Sequence, residues 1–167
     1  MPLFMLSILT IVDIGLYSRM MPILTIIPLI VSDIKTRRIK VRELFFYGIM
    51  ALIAGWFDGG WHDVLRNIAG NICTLIFLGI LITSYLYLRR LPVLQSVGCG
   101  DVFFLLTSSP LFTPMDFIRF LIIACFISLV WWFCLTHHRR VTVPFVGTAG
   151  ITLIGVQCFN WIRIWLQ

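Results

Sequence analysis

Long apolar runs separated by short polar breaks dominate this chain and constrain most of what it can fold into. Seven can be marked: Leu3–Tyr17, Met20–Val31, Leu44–Phe57, Ile68–Leu88, Val97–Phe112, Phe117–Leu135 and Val143–Ile164. Crossing the hydrocarbon layer takes about 20 apolar residues, so the fourth, sixth and seventh are long enough unaided. Of the 167 residues, 60% are hydrophobic and 12% charged. Soluble domains carry about 25% charged residues, so a water-exposed fold would lack polar surface to cover its core. The expected fold is an all-α polytopic membrane protein, a compact bundle of six to seven transmembrane or membrane-embedded helices forming one membrane domain over residues 1–167. The count stays open because Asp13 interrupts the first run. Residues 1–19 then form an additional amino-terminal helix that either faces the bundle or lies at the interface. That stretch lacks a basic n-region and a cleavage site, and reads as a retained helix rather than a signal peptide.

The formal net charge of +6 does not indicate nucleic acid, because the cations stand in short clusters between apolar runs. Lys35, Arg37, Arg38, Lys40 and Arg42 form one cluster, Arg89 with Arg90 a second, and Arg139 with Arg140 a third. Placing all three on the cytoplasmic side satisfies the positive-inside rule and gives a consistent alternation of segments. The opposite breaks, at 18–20, 58–63 and 109–116, carry Asp58, Asp63 and Asp116 and a single cation, Arg19. The six tryptophans read as interfacial anchors or bundle packing. Cys73, Cys99, Cys125, Cys134 and Cys158 are scattered through apolar runs with no CxxC pair. That spacing excludes a zinc ribbon and a disulfide framework, and reads as small buried hydrophobes.

Two carboxylates stand out against this background. Asp33 closes the second run just before the basic stretch, and Asp101 closes the tetrad Gly98–Cys99–Gly100–Asp101 at the start of the fifth. The topology set by the cations puts both near the cytoplasmic face, although neither was used to set it. An ionisable group at the edge of an apolar phase is costly and points to function. Two carboxylates brought together there share a proton near neutral pH, because desolvation and like-charge repulsion disfavour double ionisation. The ionised member can take a proton from water while the protonated member polarises a scissile carbonyl. That is peptide hydrolysis without metal or cofactor. Gly98 and Gly100 are the backbone positions that let a substrate strand approach. Structural alternatives stand beside this reading. Asp33 pairing with Lys35 or Arg37, and Asp101 capping the fifth helix, would each explain one residue. Asp116 reads as the N-cap of the sixth segment, and Asn71 as a hydrogen-bonding contact between helices. His62 with Asp63 reads as a solvated turn, and His137 with His138 as a loop. The chain carries no GxSxG, HExxH or phosphate-binding loop.

These residues resemble the type IV prepilin leader peptidases, aspartic proteases of the bacterial inner membrane. The resemblance covers roughly residues 20–150. It rests on Asp33 followed by Ile-Lys-Thr-Arg-Arg-Ile-Lys, on the GxGD tetrad ending at Asp101, and on Val143-Pro144-Phe145 before the last helix. It implies Asp33 and Asp101 as catalytic residues, Gly98 and Gly100 as active-site backbone, and no cofactor. The implied substrate is a prepilin or pseudopilin with a short basic leader and an apolar helix, lying in membrane lipid. Glu43 and Phe103 are candidate substrate-binding positions. The sequence departs from the family in having Phe103 where lysine is frequent, Lys40 where proline usually follows the basic stretch, and no cysteine-bearing cytoplasmic insert. It is therefore similar to the short members, and methyltransferase activity is not implied. Two other readings compete: a catalytically inactive assembly protein or transporter subunit, and a presenilin-like GxGD protease. The latter type has tyrosine before its first aspartate, where this chain has Ser32.

Overall fold

The computed structural model describes residues 20–90, 98–135 and 144–165, and their regular structure is entirely helical. Helix α1 covers residues 20–36. Helix α2 is Val41–Leu88, and α3 is Cys99–Ser108. A single 3-10 turn, Ser109–Leu111, leads to α4, Pro114–Leu135, and then to α5, Phe145–Trp165. The all-α expectation holds. Two helices, α2 and α4, are long and apolar enough to cross a membrane, while Cys99–Leu111 and Phe145–Phe159 are shorter apolar pieces. Six to seven spans are therefore not supported by the described residues. The first apolar run, the additional helix over 1–19, and the Arg139–Arg140 and His137–His138 pairs lie outside them.

The shortfall has local causes. The third and fourth apolar runs are not separated by a loop, because residues 58–63 are wound into helix on both sides of Gly60. This residue alone breaks the 48-residue α2, with φ 75 and ψ 177, a region essentially restricted to glycine. The fifth run ends its helix after ten residues, where Ser109 and Pro110 begin the 3-10 turn.

The break at Gly60 turns α2 back on itself. A Cβ added at Gly55 would lie 3.2 Å from the Val64 side chain and 2.8 Å from the Pro110 carbonyl, so the absence of a side chain at Gly55 lets the other arm and the 3-10 turn close on it. Both arms then grip the end of α3. From the first arm, the Tyr47 hydroxyl shares a 2.8 Å hydrogen bond with Ser108. From the second, Asn71 donates to the carbonyls of Ser109 and Phe112 at 2.8 and 2.9 Å. Tyr47 and Asn71 are fully buried, where a satisfied polar group fixes the geometry. The Asn71 amide nitrogen is satisfied twice, while its Oδ1 has no partner among the described residues. Asn71 thus makes the interelement contact expected of it.

Apolar packing completes the bundle. Tyr47 stacks on Phe104, and Phe112 on Phe120, with ring centroids 5.6 and 4.9 Å apart. These join Ile26, Leu29 and Ile30 of α1 and Val146, Ala149 and Leu153 of α5 in one core. Ser128 of α4 and Thr148 of α5 share a buried 2.6 Å hydrogen bond. Outside this core the apolar faces stay uncovered. Only 11% of the most apolar window of α2, and 28% of that of α4, is buried, which is not how the central helix of a soluble fold is enclosed.

Two local expectations are corrected. Asp116 is not the N-cap of α4. Thr113 fills that place, accepting the Asp116 N–H at 3.3 Å and donating to its carboxylate at 2.8 Å. Thr113 is thus the side-chain N-cap, and Asp116, at the third helical position, accepts from its hydroxyl. The five cysteines are not buried either. All are free and exposed, because they lie on helix faces that point away from the core.

Gly60 and Gly79 offer a paired test. Gly60→Ala is expected to lower resistance to detergent or denaturant unfolding by about 1–3 kcal/mol, since alanine is strained at that dihedral. Gly79 is an ordinary α2 residue with open space around its Cβ position, so Gly79→Ala should leave stability unchanged or raise it by up to about 1 kcal/mol. Equal effects of the two substitutions would refute the bend.

Candidate active site

Helix α1 runs past Asp33 to residue 36 and stops at Arg37, whose φ of 52 is left-handed. The Arg37 N–H donates to the Asp33 carbonyl at 2.9 Å. The Ser32 hydroxyl reaches forward to the Arg38 carbonyl at 2.9 Å, and Thr36 bonds back to the Ser32 carbonyl at 2.8 Å. The basic stretch is thereby folded against the end of α1 rather than left as a free tail.

The Asp33 side chain is buried and accepts the Gly147 backbone N–H at 2.7 Å. Gly147 is the third residue of α5, where the first amides have no partner inside the helix. Close packing makes this bond reachable. A Cβ at Gly147 would come within 3.0 Å of Ile34, and one at Gly150 within 2.6 Å of Ile30. Two glycines one helical turn apart therefore let the backbones of α1 and α5 approach directly.

Asp101 is the third residue of α3, whose N-cap is Gly98. It is not the cap itself. Its carboxyl folds back over Gly98, where an added Cβ would meet Asp101 Oδ2 at 2.6 Å. At Gly100 an added Cβ would press on Ile39 at 2.5 Å. The two glycines of the tetrad thus serve separate contacts: one leaves space for the carboxyl, the other for the loop after α1.

Asp33 and Asp101 face one cavity of about 500 Å³. Arg37, Arg38 and Ile39 close it on the α1 side, Gly98 and Gly100 on the α3 side, and Pro144 and Phe145 at the entry to α5. Both carboxylates lie outside the two helices long enough to span. Burial pushes the Asp33 carboxyl above the ordinary carboxylate range, opposed by the Gly147 N–H, the Arg37 cation and the Val146 N–H. Burial, and then the charge of Asp33, push Asp101 up to about 6. The pair is built to hold a proton near neutral pH.

A larger cavity of about 960 Å³ lies at the other end of the bundle, beside Asp58, Asp63 and Asp116. There Asp63 is paired with Arg66 at 3.0 Å and Asp116 with Arg119 at 3.1 Å. Size alone does not make it the reactive site, because the coupled carboxylates are in the smaller one.

Of the residues singled out in the sequence, Asp33, Asp101, Gly98 and Gly100 meet in this cavity. Glu43 does not line it, and instead pairs with Lys40 at 3.1 Å. Phe103 does not line it either, and is 57% exposed. Sequence reasoning missed Gly147 and the placement of Arg37, Arg38 and Ile39. The available signal was the pair of glycines at 147 and 150 directly after Pro144, a small-residue spacing that allows close helix contact. Comparison of the chain with protein-family models, curated proteins and solved structures finds no match.

A stability measurement tests the cost of this arrangement. Raising a carboxyl above its unfolded value of 3.8 to about 6 means the folded state loses stability as pH rises through that interval. Below it Asp101 is protonated in both states and costs nothing. Asp101→Asn should therefore stabilise the protein on the order of 1–2 kcal/mol at pH 8, with the gain disappearing by about pH 4. Thermal unfolding in detergent across that range checks it. A gain independent of pH would contradict the assignment.

Proposed function

We propose that this chain is a multi-pass intramembrane aspartic endopeptidase of the bacterial inner membrane. It removes short basic leaders from prepilins or pseudopilins at the cytoplasmic face. The observation that carries the reading is the convergence of Asp33 and Asp101, from separate helices, on one cavity, where burial and then the charge of Asp33 favour a proton on Asp101. The resemblance of the GxGD tetrad and of the basic stretch after Asp33 to the prepilin leader peptidases supplies the substrate class.

The chemistry needs only what the pair holds. Water between the carboxyls gives a proton to the ionised aspartate as its oxygen bonds to the scissile carbonyl carbon. The protonated aspartate gives its proton to the carbonyl oxygen. The resulting tetrahedral intermediate collapses, the C–N bond breaks, and a proton passes to the leaving amine. The exposed apolar faces of α2 and α4 suit an apolar substrate helix lying alongside in lipid. Phe103, which stands where the family frequently has lysine, is exposed and does not line the cavity.

Co-expression with a prepilin carrying a basic leader tests the proposal. Either Asp33→Asn or Asp101→Asn should abolish leader removal, by about a thousandfold or more, while the protein still inserts. Normal cleavage by either variant would sink the two-carboxylate mechanism. The rate should follow a bell-shaped pH profile. Its alkaline limb begins near 6, the value for Asp101, as the pair loses its shared proton. Its acid limb marks gain of a second proton. A rate that keeps rising above pH 8 would contradict it.

A further inference from the structure

We infer that Gly147 is a positioning residue, whose backbone N–H holds Asp33 as the ionised, water-activating member of the pair and leaves Asp101 as the proton donor. The inference rests on the endopeptidase reading and goes beyond it, since two carboxylates in one cavity do not by themselves say which is base and which is acid.

The two carboxyls have different surroundings. Asp33 receives a 2.7 Å hydrogen bond from the Gly147 N–H, at the amino-terminal end of α5, where free amides and the helix dipole favour negative charge. A carboxylate can only accept from such a donor, and the bond is stronger when the acceptor is ionised. The charged groups facing Asp33 are Arg37 from the end of its own helix, Arg38 from the following loop and Asp101 from α3. The contribution of α5 is backbone amide, at Val146 and Gly147. Asp101, by contrast, sits over Gly98, and the charge that most affects it is that of Asp33. At Asp33 the amides and Arg37 oppose the effect of burial, whereas at Asp101 the charge of Asp33 adds to it.

Glycine at 147 is what permits the contact. Its Cβ position lies 3.0 Å from Ile34 Cγ1 and 3.5 Å from Asp33 Oδ2. A Cβ there is tighter against Ile34 than ordinary packing, so Ile34 must give or α1 and α5 must part, and parting lengthens the bond to Asp33. The residue thus acts through Asp33 and does not itself meet the substrate.

Gly147→Ala and the bulkier Gly147→Val form a graded series. Cleavage of the prepilin should fall in kcat by about tenfold to a hundredfold across the two, with KM within about twofold. The acid limb of the pH profile should move upward by about one pH unit as Asp33 loses its donor. Adding Ile34→Ala to Gly147→Ala should restore most of the rate and return the acid limb, because the space the new methyl needs is then free. An activity-independent measurement accompanies these. Dicyclohexylcarbodiimide modifies protonated carboxyls in apolar surroundings, and mass spectrometry reads each site separately. The pH midpoint for labelling Asp33 should rise by about one unit in Gly147→Val, with that of Asp101 unchanged or lowered. Loss of rate with no movement of the acid limb or of the Asp33 labelling midpoint would reduce Gly147 to a packing role and overturn the inference. If labelling moves as expected while the wild type leaves the prepilin uncut, the peptidase reading fails and the electrostatic assignment of Asp33 stands.

Discussion

The contact on which the site depends is the direct approach of α1 to α5, backbone against side chain, at Gly147 and Gly150. Ile30 and Ile34 occupy the space two Cβ atoms would have filled. That approach brings a free amide of α5 within 2.7 Å of the Asp33 carboxylate. Hydrophobic packing alone would not orient a carboxyl. The hydrogen bond does, and in low-dielectric surroundings such a bond is strong when made and costly when broken. Asp33, the loop folded behind it through Ser32 and Arg38, and the wall of the cavity all take their place from this contact.

The opposite end of the bundle is organised differently. There a bent α2 closes on the 3-10 turn through Tyr47 and Asn71, both fully buried. Polar side chains in an apolar interior act as fixed connectors, because each has one arrangement that satisfies it. Two carboxylates rimming the larger cavity at that end, Asp63 and Asp116, are paired with arginines three residues along the chain. In the smaller cavity two carboxylates share one space, and burial and the charge of the first raise the second.

Much of this was legible in the sequence, and the gaps have physical causes. Helical class and apolar character followed from long uncharged runs, and the two aspartates stood out because charge is so scarce here. Gly98 and Gly100 could be recognised as backbone positions, though not which contact each would serve. The out-and-back course of the third and fourth runs followed from the cation clusters at their ends, but the winding of residues 58–63 into helix on either side of Gly60 was hidden, since they look like a polar loop. The cysteines were placed inside because they are apolar, yet in a fold whose helices keep bare apolar faces, outside is equally compatible with their chemistry. Gly147 was missed for a more basic reason: its contribution is a main-chain N–H, which every residue but proline has. What singles it out is distance to a residue 114 positions away, and no local pattern encodes that.

The grip of α2 on the end of α3 has a mechanical consequence. Asp101 lies near the start of a ten-residue helix, beside Ile39, and the far end of that helix is pinned at Ser108. At 1.5 Å per residue, roughly 10 Å separates the carboxylate from that pivot. A tilt of about 6° then carries Asp101 by about 1 Å, a displacement on the scale at which reacting groups gain or lose alignment. Asp33, clamped to α5, does not share the movement. One carboxyl is an anvil and the other rides on a lever, so the spacing of the pair follows the tilt of α3.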